Sequence, residues 1–160
     1  MDTVLAPDTE PPFGAHLMTR RRGYVHHGIY VGVGRVVHYS AGAWSFIRRP
    51  VEEVSLARFC RSRTVWIRAR AQDSFDPAEI VCRARSRLGE DRYRLLTNNC
   101  EHFCEWCTRG QARSTQVEAL LALLRVQFRR RKRSARGFHW SGSPVLRTQS
   151  ERGAPQAFCS

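Results

Sequence analysis

One stretch narrows the fold more than any other: HHGIYVGVGRVVHYS, residues 26 to 40. Two β-rich runs flank a turn carrying Gly32 and Gly34, the pattern of a hairpin. Strand side chains alternate faces. Ile29 and Val31 share one parity in the first run, and Val37 and Tyr39 share it in the second. A bulged or three-residue turn brings equal parities together; a strict two-residue turn splits them. The bulged form keeps the apolar set on one face and so puts His26 and His38 together on the other. His27, of opposite parity, is expected to be an ordinary satisfied strand histidine.

The second half of the chain is helical. Asp76, Pro77 and Glu79 form a start signal, and that helix is expected to run to about Leu88, with Gly89 after it. Asn99 is placed to cap a helix over residues 100 to 109, closed by Gly110. Ser114 is placed to cap another through Leu124 into a basic end. Elsewhere, residues 44 to 49, 64 to 70 and 93 to 96 read as strands, and VEEVSLARF (51 to 59) as one or two helical turns. Residues 1 to 12, rich in proline, read as a flexible leader. Residues 13 to 125 form the domain, and 126 to 160 a basic helix end and a tail. From Gly137 onward the composition predicts disorder.

The block NNCEHFCEWC, residues 98 to 107, carries the chemistry. Cys100, Cys104 and Cys107 recur at i, i+4 and i+7, one face of a helix. A structural zinc site draws ligands from two separate knuckles, and a second C-x-x-C is absent from the sequence. Cys104 and Cys107 therefore read as small core residues, and no metal or organic cofactor is expected. Cys100 differs by position. In the first turn of a helix, free N–H groups and the dipole favour a thiolate and lower its pKa. A histidine within reach then serves as its base.

Charge adds a partner class. The chain holds 27 basic residues against 14 acidic, and Lys132 is its single lysine. Arginine codons suggest a GC-rich, bacterial genome. Such a surface favours anions. Arg125, Arg129, Arg130, Arg131, Lys132 and Arg133 form a basic run suited to peripheral contact with an anionic membrane; nucleic acid ranks below it, since no nucleic-acid motif accompanies the run. The sequence contains neither a spanning apolar run nor a signal-peptide pattern, so the expectation is a cytoplasmic protein, peripheral at the membrane at most.

Three segments carry a resemblance: GYVHHGIYVGVGRVVHYS (23 to 40), TNNCEHF (97 to 103) and RGQARSTQV (109 to 117). In this order and spacing they resemble the lecithin–retinol acyltransferase family, which includes small phospholipase A/acyltransferases. The resemblance implies an α+β fold of permuted papain-like type, an antiparallel sheet packed against helices. It implies Cys100 as nucleophile, His26 as general base and His38 as the residue that orients it. It implies cleavage of phospholipid or other acyl esters through a thioester, with the acyl group passed to water, an amine or an alcohol. Glu101, His102 and Phe103 belong to the motif with local structural work. A papain-like peptidase or amidase, a basic binding module with a non-catalytic thiol, and a zinc site stay open beside this reading.

Overall fold

The computed structural model describes residues 1–40, 50–69 and 73–136, with side chains through residue 127. The strand expected over 44 to 49 and the tail from 137 lie outside the described residues. The chain divides into two compact units, residues 1–123 and 124–160. The first holds an antiparallel sheet and three helices. Its strands are β1 (Thr3–Val4), β2 (His16–Arg21), β3 (Tyr24–Gly32), β4 (Arg35–Tyr39), β5 (Val51–Ser55) and β6 (Val65–Ile67). Their order across the sheet is β1-β6-β2-β3-β4-β5. The helices are α1 (Leu56–Cys60), α2 (Pro77–Ser86) and α3 (Cys100–Arg109); α4 (Thr115–Arg136) begins in this unit and runs past its end. The architecture is α+β, an open antiparallel sheet packed with helices.

The central hairpin combines both turn geometries that the sequence allows. Gly32 pairs with Arg35, so only Val33 and Gly34 lie in the loop, both with positive φ (50° and 62°). A register shift between Tyr30 and Gly32 then restores equal parities, and Ile29 pairs with Val37 and Tyr30 with Val36. Bulges of this kind add one residue to one strand. The odd face gathers Ile29, Val31, Val37 and Tyr39 under Ile80, Val81 and Ala84 of α2 and Cys100, Phe103, Cys104 and Cys107 of α3. Phe103 is fully buried, worth about 1.5–3 kcal/mol relative to exposure. The even face is covered too: Leu17, Tyr30, Val36 and Val54 pack with Phe59 of α1.

Several local expectations change under tertiary pairing. VEEVS is a strand, not a helical turn, because Val51 and Val54 pair with Tyr39 and Val36 on β4. Ser55 then caps the short α1, accepting from Arg58 N at 3.2 Å. Residues 93 to 96 form no strand; an isolated bridge joins Arg94 and Asn98. The first twelve residues contribute β1, which pairs with β6, and Leu5 N donates to Val65 O at 2.9 Å. Helix α2 starts as expected, with Asp76 accepting from Glu79 N at 2.9 Å. It ends at Ser86, two residues early, where Arg87 turns out to bond Glu90 and Asn98.

Gly28 decides how closely the even face closes. A Cβ there would stand 2.7 Å from Val36 Cγ1, 2.8 Å from Phe59 Cε2 and 3.3 Å from His38 Cβ. Overpacking of this kind costs about 1–3 kcal/mol. Gly28→Ala is expected to lower stability by that amount in a urea titration, and to loosen the cover over His38.

Candidate active site

Helix α3 is the frame of the site. Asn99 Oδ1 accepts from the backbone N–H groups of Glu101 (2.9 Å) and His102 (3.1 Å), and His102 Nδ1 accepts from Asn99 N at 3.4 Å. This reciprocal capping box fixes the first turn. Gly110 ends the helix at φ 73°, as its position predicts. Cys104 and Cys107 are core residues, each fully buried, and burial raises both thiols, Cys107 to about 12. The five described cysteines are all free. Among the described residues, no three His, Cys, Asp or Glu side chains group as a metal cluster.

His26 and His38 meet on the even face. His26 Nε2 and His38 Nδ1 are 2.9 Å apart, and the Phe59 ring covers both. Both rings are buried. Burial, then His38, then Arg21 keep His26 well below the usual histidine value. Burial lowers His38 to about 4, against the upward pull of Glu52 and the Tyr39 backbone. Both imidazoles are therefore neutral at neutral pH. His26 Nδ1 is buried with no hydrogen-bond partner.

Cys100 belongs to the odd-face cluster, at the open edge of β3. Pairing between β3 and β4 stops at Ile29 and Val37. Beyond that point other groups meet the β3 backbone. The Cys100 thiol receives a backbone hydrogen bond from His27. Gln116 accepts from Val25 N at 2.9 Å and donates to Val25 O at 3.2 Å. Tyr24 links the two sides: its ring meets His26 edge-on at 6.0 Å, and with Cys100 it lines a pocket of about 500 Å³. Tyr93, Leu95, Leu96, Val117 and Leu120 give that pocket its apolar walls.

The thiol's acidity runs against the sequence expectation. Burial pushes Cys100 up to about 11, and Glu101 adds to the rise; backbone N–H groups of His27, Glu101 and Cys100 oppose it. Desolvation of the charged form outweighs the helix end here. Asn99 also occupies two of the first-turn amides that the sequence reading counted as free.

A second histidine pair occupies the odd face, and sequence reasoning missed its partners. His16 Nε2 lies 2.8 Å from His27 Nδ1, and Gln116 Nε2 lies 3.1 Å from His27 Nε2. Gln116 Nε2 also lies 3.2 Å from Glu101 Oε2, so three acceptors share its two N–H groups. Glu101 Oε2 accepts from Ser114 (2.7 Å), while Thr115 donates to Glu101 Oε1 (2.6 Å). Burial raises the Glu101 carboxyl, but His27 and these hydroxyls hold it down to about 2. His27 thus has both ring nitrogens partnered, as a structural histidine does. Tyr24 shares the parity of His26 and was within reach of the strand pattern; Gln116 lies in a segment the resemblance singled out, with no signal there of its contact to His27.

The sequence model of the lecithin retinol acyltransferase family matches residues 9–113. The chain belongs to the lecithin retinol acyltransferase family. It is 31% identical to the human protein named phospholipase A and acyltransferase 3, over 80% of this chain and 97% of that protein. It is 30% identical to human phospholipase A and acyltransferase 2, over 72% of this chain and 82% of the other. Against mouse lecithin retinol acyltransferase the identity is 24%, over 76% and 64% respectively. The family match takes in β2 to β4, with His26 and His38, and α3, with Cys100.

The buried histidines make stability depend on pH with a definite sign. His27 and His38 have folded values of about 4, below the unfolded value of about 6.5. Their contribution is complete above the unfolded value and is lost as pH falls toward about 4, at roughly 1.4 kcal/mol per pH unit for each. The urea midpoint is expected to be lower at about pH 5 than at about pH 7, with Glu101 extending the loss below its ordinary range.

Proposed function

We propose that this chain is a cysteine-dependent acyl hydrolase and acyltransferase acting on lipid esters. Family membership and the relatives' names support acyl chemistry on lipids. The observation that carries the residue assignment is the buried, unpartnered Nδ1 of His26 beside a ring whose Nε2 is already tied to His38. His27 has both ring nitrogens engaged; His26 Nδ1 is the ring nitrogen left open.

The resting structure shows no hydrogen bond between the Cys100 thiol and His26 Nδ1, so the step requires the two to close up when substrate binds. Cys100 Sγ then attacks the ester carbonyl, most simply that of a glycerophospholipid, as His26 Nδ1 takes its proton. The carbon–oxygen bond breaks, the alcohol product leaves with the proton from His26, and a thioester remains. Water then completes hydrolysis, or an amine or alcohol receives the acyl group, with His26 again accepting the proton of the attacking group. His38 orients His26. The apolar pocket wall beside Cys100 suits an acyl chain. A raised thiol and a depressed imidazole favour a neutral pair, with proton transfer concurrent with attack rather than a resting thiolate–imidazolium.

Incubation with phospholipid vesicles and intact-mass analysis tests the assignment. Fatty-acid release and an acyl adduct on Cys100 are expected, and Cys100→Ala is expected to lose both. Unchanged release from that variant overturns the reading. The neutral pair gives kcat/KM an acid limb below the ordinary histidine value of 6.5 and a flat response through neutrality; a narrow bell centred near neutral pH contradicts it.

The basic run Arg125, Arg129, Arg130, Arg131, Lys132 and Arg133 is the segment we assign to peripheral contact with an anionic membrane. The backbone of α4 is helical through Arg136. No helix among the described residues is long and apolar enough to cross a bilayer. Each basic residue near such a surface contributes about 1 kcal/mol. Neutralising Arg129, Arg130 and Arg131 together is expected to weaken sedimentation with anionic vesicles by well over tenfold, and added salt to weaken the parent protein likewise.

A further inference from the structure

The histidine pair on the even face has a neighbour on the next strand. Glu52 stands opposite His38 in the β4–β5 register, and its Oε1 lies 3.6 Å from His38 Nε2. That is slightly beyond a hydrogen bond and within electrostatic reach. Resting on the assignment of Cys100 and His26 above, we infer that Glu52 is a positioning residue: it fixes the tautomer of His38 and, through it, that of His26.

The argument counts protons. A neutral imidazole carries one N–H, and burial keeps both rings neutral at neutral pH. The 2.9 Å contact between His26 Nε2 and His38 Nδ1 needs one N–H, from one ring or the other. If His38 donates from Nδ1, its Nε2 lone pair faces the Glu52 carboxylate, which is repulsive. His26 Nε2 then accepts, its own N–H sits on Nδ1, and that nitrogen cannot take a proton from Cys100. If His38 carries its N–H on Nε2, toward Glu52, every sign reverses. His38 Nδ1 accepts, His26 donates from Nε2, and His26 Nδ1 keeps the lone pair that the chemistry needs. One carboxylate at the far end thus sets the direction of the whole chain. No proton moves to Glu52; when His26 takes the thiol proton, the new charge remains on His26, with the carboxylate's field behind it.

The cations and the aromatic cover facing His38 do not supply this bias. Arg58 of α1, 3.7 Å from Glu52 Oε1, and Arg21 of β2 are cations that lower the His38 pKa. Phe59 is apolar cover. The Tyr39 backbone favours a protonated ring, and Glu52 is the carboxylate acting on it. The Glu52 side chain is 31% exposed, so solvent screens part of its effect.

The experiment uses the full chain, with Glu52→Ala and Glu52→Asp, and two readouts. Nitrogen-15 NMR of the histidines, which needs no substrate, is expected to show His26 and His38 of the parent protein both as Nε2–H tautomers. Glu52→Ala is expected to shift both toward Nδ1–H and to lower kcat roughly tenfold with KM unchanged, part of the factor of about 10²–10⁴ that a positioned general base supplies. Glu52→Asp is expected to restore the parent tautomers and part of kcat. A parent His26 in the Nδ1–H form overturns the inference, whatever the variants do. So does a folded Glu52→Ala protein with parent tautomers and parent kcat. Failure of the catalytic assignment is seen separately, as Cys100→Ala retaining full lipid turnover, and it would remove the kinetic role of Glu52 even with the tautomers as expected.

Discussion

The open edge of β3 organises this molecule. Strand β4 leaves β3 after Val37, so the backbone groups of Val25 and His27 lose the ladder that would satisfy them. Buried N–H and C=O groups without partners are costly, about 1–3 kcal/mol each. Two side chains from separate helices fill the gap. Gln116 of α4 bonds both backbone groups of Val25, and the Cys100 thiol takes the hydrogen bond from His27. Satisfying the strand is therefore the same event as seating the candidate nucleophile. The helix cap at Asn99 and the buried Glu101 network then hold α3 and the start of α4 at that edge.

The two histidine pairs show how one sheet gives neighbouring histidines opposite environments. On the odd face, His16, His27, Gln116 and Glu101 close a network in which both ring nitrogens of His27 find partners. On the even face, His26 and His38 make one bond to each other and leave a buried nitrogen open. Adjacent residues in sequence thus have different surroundings, and strand alternation is the cause. Buried polar groups without partners are few in folded proteins, and each calls for an explanation.

Much of this was legible from residue order. The parity of Ile29, Val31, Val37 and Tyr39 required a bulge, and the bulge put His26 beside His38. Asn99, Gly110, Asp76 and Pro77 marked helix ends because capping is local chemistry. Other features depend on distance in space. VEEVS has no local reason to be a strand until β4 offers Val36 and Tyr39 as partners, and misreading it hid Glu52. The acidity of Cys100 was read from the helix end alone, whereas the decisive quantity, its burial, belongs to the folded chain. The His27–Gln116 contact joins residues 89 positions apart, beyond any pattern of period two or 3.6.

The arrangement of thiols along α3 has a practical corollary for chemical labelling. Cys104 and Cys107 are sealed in the odd-face core, and Cys100 borders a greasy cleft walled by leucines and tyrosines. A reagent must bring its electrophile through that cleft, so molecular shape and oiliness, rather than intrinsic reactivity, select which sulfur on the helix is modified. Long-chain chloroacetamide tags would report on Cys100, while small charged alkylators would mark the more exposed Cys82 instead.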